Sequence, residues 1–202
     1  MRALLRRPWA KPALAAVWLW PLAYLIWGAA QNTLGPNPAE TLIRSSGEMA
    51  LRMMCVALAV TPLRILSGWP EWARFRRMLG LIAFTYALFH LLCYSWLDMG
   101  LDLADIAQDI AKRPFILVGM LTFVLLLALA ATSFNAAIRW MGAPRWQALH
   151  RVVYVAAMLA LLHFYWMRSG KNNFDDVALY GGIVIALLGW RLWRRLRPLA
   201  KN

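Results

Sequence analysis

The sequence predicts an all-α integral membrane protein of six transmembrane helices with both termini on the cytoplasmic side. Three observations carry that prediction. The chain is 62% hydrophobic, whereas soluble domains are about half apolar. Hydrophobic runs near the membrane-spanning length recur through almost all of its 202 residues, leaving no room for a separate soluble domain. The basic residues cluster in the short connections on one side of those runs, as the positive-inside rule requires.

The first span is expected at about 13–30, with a kink at Pro21. The start Met1-Arg2-Ala3-Leu4-Leu5-Arg6-Arg7 has the charge of a secretory signal. The following stretch is long and rich in tryptophan, which favours an uncleaved first helix. The second span, about 48–66, is bounded by Glu48 and Arg52 at one end and by Pro62 and Arg64 at the other. Long charged side chains at helix ends can reach the interface. The third span is expected at 78–97, and the fourth at 115–133, opened by Pro114, which suits a first helical turn. The fifth and sixth fall at 149–167 and 177–193.

With the N-terminus inside, most of the 22 basic residues also lie inside. Arg2, Arg6, Arg7 and Lys11 precede the first span. Arg64, Arg74, Arg76 and Arg77 flank the second connection, Arg139, Arg145 and Arg151 the fourth, and Arg191, Arg194, Arg195, Arg197 and Lys201 the C-terminus. Arg44, Arg52, Lys112, Arg113, Arg168 and Lys171 fall on the other side. Trp9, Trp69, Trp72, Trp140, Trp146, Trp190 and Trp193 form an inner interfacial belt. A net charge of +13 could suit nucleic acid in a soluble protein, but this loop pattern points to the membrane instead. Cys55 and Cys93 both lie within apolar segments and read as small packing residues rather than a disulfide or metal pair.

All nine acidic residues except Glu71 lie toward the outer side. Asp98, Asp102, Asp105 and Asp109 recur at helical spacing, which would put one acidic stripe on an interfacial helix. That stripe is either a solvated face or an electrostatic dock for an extracytoplasmic partner.

The chain has only three histidines, His90, His150 and His163, each in or at the edge of an apolar segment. An imidazole inside a membrane helix is costly unless it is coordinated or hydrogen-bonded. His90 lies about 18 Å along the third span, and His163 about 20 Å beyond His150 on the fifth, at 1.5 Å per residue. Both spans run from inside to outside, so His90 and His163 reach matching depths in the outer half of the membrane. A facing pair of this kind can ligate one haem iron axially between helices. It can equally be a polar packing pair or part of a proton path, as in a proton-coupled transporter or channel. His150 stays near the inner face, roughly 140° round an ideal continuous helix from His163. Counting back from His90 by the same interval reaches Arg77, not a histidine. Arg76 and Arg77 could contact haem propionates, a quinone oxygen or a flavin phosphate. The alternative is an interfacial histidine beside snorkelling arginines.

Arg76-Arg77-Met78-Leu79-Gly80-Leu81, Tyr86-Ala87-Leu88-Phe89-His90, Leu149-His150-Arg151-Val152-Val153-Tyr154 and His163-Phe164 resemble the MsrQ (YedZ) family, and Thr61-Pro62-Leu63-Arg64 fits its second span. These are the haem-binding membrane subunits of bacterial periplasmic methionine sulfoxide reductase systems, related to the transmembrane domain of ferric reductases and NADPH oxidases. The resemblance covers nearly the whole chain and implies one ferric reductase-like transmembrane domain over 1–202, a haem-binding bundle in the bacterial inner membrane. It implies that His90, His150 and His163 ligate haem b: an outer site on His90 and His163, and a second, inner site on His150 as an alternative. Arg77 stands where the oxidases have a fourth histidine, which departs from two symmetric bis-histidine haems. The resemblance further implies electron transfer to the periplasmic molybdopterin enzyme MsrP, with FMN bound in some descriptions. The electron donor would be quinol or a cytoplasmic flavin reductase, because the chain has no NADPH–flavin domain. Arg74, Arg76, Arg77, Arg145 and Trp146 form the expected inner donor region, and Asp98, Asp102, Asp105 and Asp109 the expected outer dock. No substrate chemistry is expected of the chain itself.

Overall fold

The computed structural model describes residues 2–169 and 174–196; Lys171, Arg197 and Lys201 lie outside the described residues. After a short helix α1 (Arg2–Arg6), the long helix α2 (Ala10–Ala30) carries Pro21 in its interior. Proline has no N–H and disrupts the helical ladder. Tyr86 compensates at that point. Its hydroxyl donates to the Trp18 carbonyl at 2.7 Å and accepts from the Leu22 amide at 3.1 Å.

Helix α3 (Pro38–Ser67) begins well before the expected second span. Asn37 caps it by accepting from the Glu40 amide at 3.1 Å, Pro38 opens its first turn, and Gly68 closes it at φ 67, a conformation glycine adopts without strain. Its 30 residues give about 45 Å of helix, longer than a hydrocarbon core of about 30 Å. The charges near its start are paired along the helix. Glu40 meets Arg44 at 2.7 Å and Glu48 meets Arg52 at 2.5 Å, each one turn apart. Such pairing lowers the cost of carrying charge near a membrane.

A 3₁₀ turn (Pro70–Phe75) leads into α4 (Arg76–Cys93), which runs on through a π-helical stretch, Tyr94–Asp98. Helix α5 (Leu103–Lys112) precedes α6 (Pro114–Ala131). Two short helices, α7 (Asn135–Met141) and α8 (Ala143–His150), then lead to α9 (Val153–Ser169) and α10 (Asp175–Leu196). Among the described residues there is no strand, and six helical stretches are long and apolar enough to cross a membrane.

Helix α3 is the centre of the bundle. Met53, Met54, Leu58 and Val60 are buried together with Tyr86 of α4, Ala156 and Ala157 of α9 and Val184 of α10. The paired alanines let α9 approach closely, while α2 lies outside and buries only Leu25 and Gly28. At the basic end, Glu71 ties the N-terminus to the 3₁₀ turn. It meets Arg2 at 3.3 Å and Arg6 at 2.6 Å. The single acidic residue expected on that side therefore fastens α1 to the bundle.

The acidic stripe is not one helical face. Asp98 ends the π-helical stretch, and Leu101 at φ 63 breaks the chain direction before α5. Asp102 then caps α5, accepting from the amides of Ala104 and Asp105 at 2.8 and 3.1 Å. Only Asp105 and Asp109 sit on the helix itself. Asp109 turns inward, pairing with Arg113 at 2.8 Å and accepting from the Tyr94 hydroxyl at 2.8 Å. Asp102 and Asp105 remain exposed.

Candidate functional site: a paired-histidine cavity

Helices α3, α4, α6 and α9 enclose a cavity of about 450 Å³, within the range of cofactor sites. Its apolar lining includes Leu51, Met54, Ala87, Leu91, Ile116, Phe123, Leu126 and Phe164, and both His90 and His163 face into it. The two imidazole centroids are 6.2 Å apart with their planes at 78°. Two imidazoles that share one metal, each nitrogen about 2 Å from it, have centroids roughly 6 Å apart once the half-width of each ring is added.

Each ring is also oriented from behind. His90 Nδ1 lies 2.8 Å from the Ile43 carbonyl oxygen, and His163 Nδ1 lies 2.6 Å from that of Phe115. A carbonyl can only accept, so Nδ1 carries the proton on both rings. Nε2 is then left with its lone pair free. A backbone carbonyl on one ring nitrogen is the arrangement that fixes the tautomer and orientation of metal-binding histidines.

The mouth of the cavity is polar. Asn37, Glu40, Arg44, Glu48, Asp98 and Arg113 line it. Each of the two guanidinium groups presents five N–H donors. Their ion pairs with Glu40 and Asp109 leave further donors for a carboxylate-bearing ligand. Arg44 and Arg113 were legible in the sequence only as charges on the outer side. The backbone partners Ile43 and Phe115 and the glycines beneath the rings, Gly47 and Gly119, carried one signal. A glycine inside an apolar helix is costly and often marks a close approach.

His150 stands apart from this cavity. The helix breaks at Arg151 and Val152, so His150 ends α8 rather than beginning α9. The rotational angle expected from a continuous fifth span does not apply. Its ring stacks on Trp146, with centroids 3.9 Å apart, and its Nε2 lies 3.1 Å from the Thr132 hydroxyl. Trp146 in turn donates to the Thr132 carbonyl at 2.9 Å.

The expected donor region is divided. Arg74 donates to the Leu5 carbonyl at 2.7 Å, Arg76 to the Thr61 hydroxyl at 2.8 Å and Arg77 to Asn135 Oδ1 at 2.7 Å. Three neighbouring arginines thus reach toward three different elements. Arg74 and Arg77, with Lys11, Met78, Leu81, Ile82 and Thr85, line a second cavity of about 300 Å³ at the basic end. Arg145 is exposed on α8, and neither it nor Trp146 and His150 lines that cavity.

Residues 46–161 match the ferric reductase like transmembrane component family, the class of membrane protein that six spans around paired intramembrane histidines define. A relative from Polaromonas naphthalenivorans (strain CJ2) is 61% identical over 94% of this chain and 86% of its own length. One from Bordetella pertussis is 49% identical over 92% of this chain and 91% of its own. One from Caulobacter vibrioides is 42% identical over 90% and 86%. All three carry the name protein-methionine-sulfoxide reductase heme-binding subunit MsrQ. The chain belongs to the MsrQ family within the ferric reductase-like transmembrane proteins.

Proposed function

We propose that this chain is the b-type haem subunit of a periplasmic methionine sulfoxide reductase system. It passes electrons across the bacterial inner membrane from the quinol pool or a cytoplasmic flavin donor to the molybdopterin enzyme MsrP. The observation that carries this reading is the part-buried imidazole pair in the cavity, 6.2 Å apart, each Nδ1 held by a backbone carbonyl. His90 and His163 would be the axial ligands, and Arg44 and Arg113 would meet the propionates at the cavity mouth. Haem held there supplies a one-electron carrier whose potential is tuned by ligation, dielectric and nearby charge. The chain's own part is to orient two ligands, exclude water with an apolar lining and neutralise carboxylates at the rim.

The basic end suits the entry of electrons. The cavity at Lys11, Arg74 and Arg77 combines cations with an apolar floor, which fits a quinone headgroup or a flavin phosphate such as that of FMN. Thr85 of that cavity precedes His90 by five positions on α4, about 7.5 Å along the axis. His150, on Trp146 and Thr132, is the position for an inner haem if one binds. The charge distribution supports cytoplasmic termini, which puts the histidine pair and α5 toward the periplasm. A reduced-minus-oxidised spectrum of the purified protein tests the proposal. Low-spin b-type Soret and α bands are expected; their absence after expression with ample haem would leave a histidine-based proton-coupled transporter as the better reading.

The exposed Asp102 and Asp105 support an electrostatic dock for MsrP at the α5 end. Asparagine at position 102 retains the helix cap, so charge can be removed there without unravelling α5. With Asp102→Asn and Asp105→Asn combined, reduction of purified MsrP is expected to slow roughly 3-fold or more at low ionic strength and to lose much of its salt dependence. Unchanged stopped-flow kinetics at low and high salt would remove the dock.

A further inference from the structure

The same device holds both histidines. His90 docks on the carbonyl of Ile43, and Gly47 lies one helical turn further along α3. His163 docks on the carbonyl of Phe115, and Gly119 lies one turn further along α6. In each case the carbonyl that receives the imidazole belongs to the residue four before a glycine. Each glycine faces the imidazole directly. A Cβ at position 47 would stand 2.9 Å from His90 Nδ1 and 3.0 Å from its Cε1. A Cβ at position 119 would stand 2.8 Å from both Nδ1 and Cε1 of His163. Real Cβ atoms essentially never stand closer than 3.0 Å to such a neighbour, so the Nδ1 contact at either position forces a shift, and the atoms met belong to rigid rings already held by a hydrogen bond. Gly80, on the same α4 as His90, has nothing within 4 Å of such a Cβ.

We infer that Gly47 and Gly119 are a matched pair of positioning residues. By lacking a side chain, they let each imidazole reach the backbone carbonyl that sets its tautomer, orientation and basicity. The inference rests on the proposed haem ligation for its redox consequence and only on the close approach of each glycine to its imidazole for its steric one. Added to either helix, a methyl group pushes the ring off its carbonyl. The Nδ1–H bond then weakens, and the ring becomes a less basic ligand free to rotate. A less basic axial ligand favours the reduced iron, so the midpoint potential moves upward. The 78° between the ring planes gives a second readout. Nearly perpendicular axial imidazoles produce a highly anisotropic low-spin ferric EPR signal, and near-parallel ones a rhombic signal.

The experiment compares the wild-type haem protein with Gly47→Ala, Gly119→Ala and the control Gly80→Ala, by redox titration and EPR. The wild type and Gly80→Ala are expected to share the highly anisotropic signal and one potential. Gly47→Ala and Gly119→Ala should each show a raised potential and a displaced signal, or loss of haem from a protein that still elutes as a folded monodisperse species. Wild-type spectra and potentials in both alanine variants would overturn the inference, as would a rhombic wild-type signal. If Gly47→Ala does not fold, the double variant Gly47→Ala/His90→Ala decides. Its recovery supports the crowding of His90 by the methyl group, and its failure to fold overturns it. Where Gly47→Ala does fold, melting temperatures give the same comparison without haem: it should melt below the wild type and the double variant should recover, so a wild type without haem would sink the proposed function while the steric inference is still tested.

Discussion

Alanine in place of either His90 or His163 is expected to abolish the low-spin haem spectrum and reduce electron delivery to background. The two rings line one cavity with centroids 6.2 Å apart, and ligation from both sides requires both. The effects should therefore be strongly non-additive: the double variant loses no more than either single variant. The fold should survive the change. The carbonyls of Ile43 and Phe115 lie within helices and keep their helical partners when the imidazole is removed. His150→Ala is the contrasting case. His150 is engaged with Trp146 and Thr132 and does not line that cavity, so its loss should leave the His90/His163 signal in place. Pyridine haemochrome quantification and spectra of the wild type and these variants at equal concentration check this. A His90→Ala or His163→Ala protein with a full low-spin spectrum would refute the assignment of that residue.

The pairing of His90 with His163 was legible in the sequence because depth along a helix is a linear count, and two spans running in the same direction put equal counts at equal depths. The same count kept His150 apart from that pair, but the rotational angle drawn from it does not apply. It assumed an unbroken fifth helix, and the chain breaks at Arg151 and Val152. The helix that carries the expected second span begins ten residues earlier, at Pro38, where Glu40–Arg44 and Glu48–Arg52 pair at helical spacing. The expected span therefore did not include the most informative part of the site. Ile43 and Gly47 lie in the omitted first turns of α3, so neither the carbonyl behind His90 nor the glycine that admits it could be connected to the ring. The partners of His163, Phe115 and Gly119, lay inside the expected fourth span, but helical periodicity does not say which backbone carbonyl an imidazole of another helix will reach. The acidic spacing misled in the opposite way. Four residues at helical intervals imply one face only if one helix carries them, and Leu101 at φ 63 divides the set.

Removing a single hydroxyl, in Tyr86→Phe, is expected to destabilise the protein by about 2 kcal/mol while leaving the histidine pair intact. Tyr86 is fully buried, and its hydroxyl bridges the Trp18 carbonyl and the Leu22 amide, the two groups that an uninterrupted helix would pair directly. Pro21 lies between them in the chain and has no N–H of its own. A backbone group buried without a partner costs about 1–3 kcal/mol, and water is scarce at this depth to replace the hydroxyl. Partial straightening of α2 would let Trp18 and Leu22 recover some bonding to each other, which keeps the expected cost near the bottom of the range for two groups. Phenylalanine preserves the ring packing against α2 and α3, so the effect isolates the hydrogen bonds from the cavity that alanine would create. For a chain of this size the change corresponds to a fall of roughly 4–8 °C in melting temperature, measured in one detergent by loss of helical circular dichroism. The Pro21→Ala variant supplies the second half of the test. With a backbone N–H restored at position 21, the helix can close its own ladder and the hydroxyl is less needed. Tyr86→Phe should then cost distinctly less in that background. Equal costs in both backgrounds would show that Tyr86 acts through packing alone and that the proline kink is not what it supports.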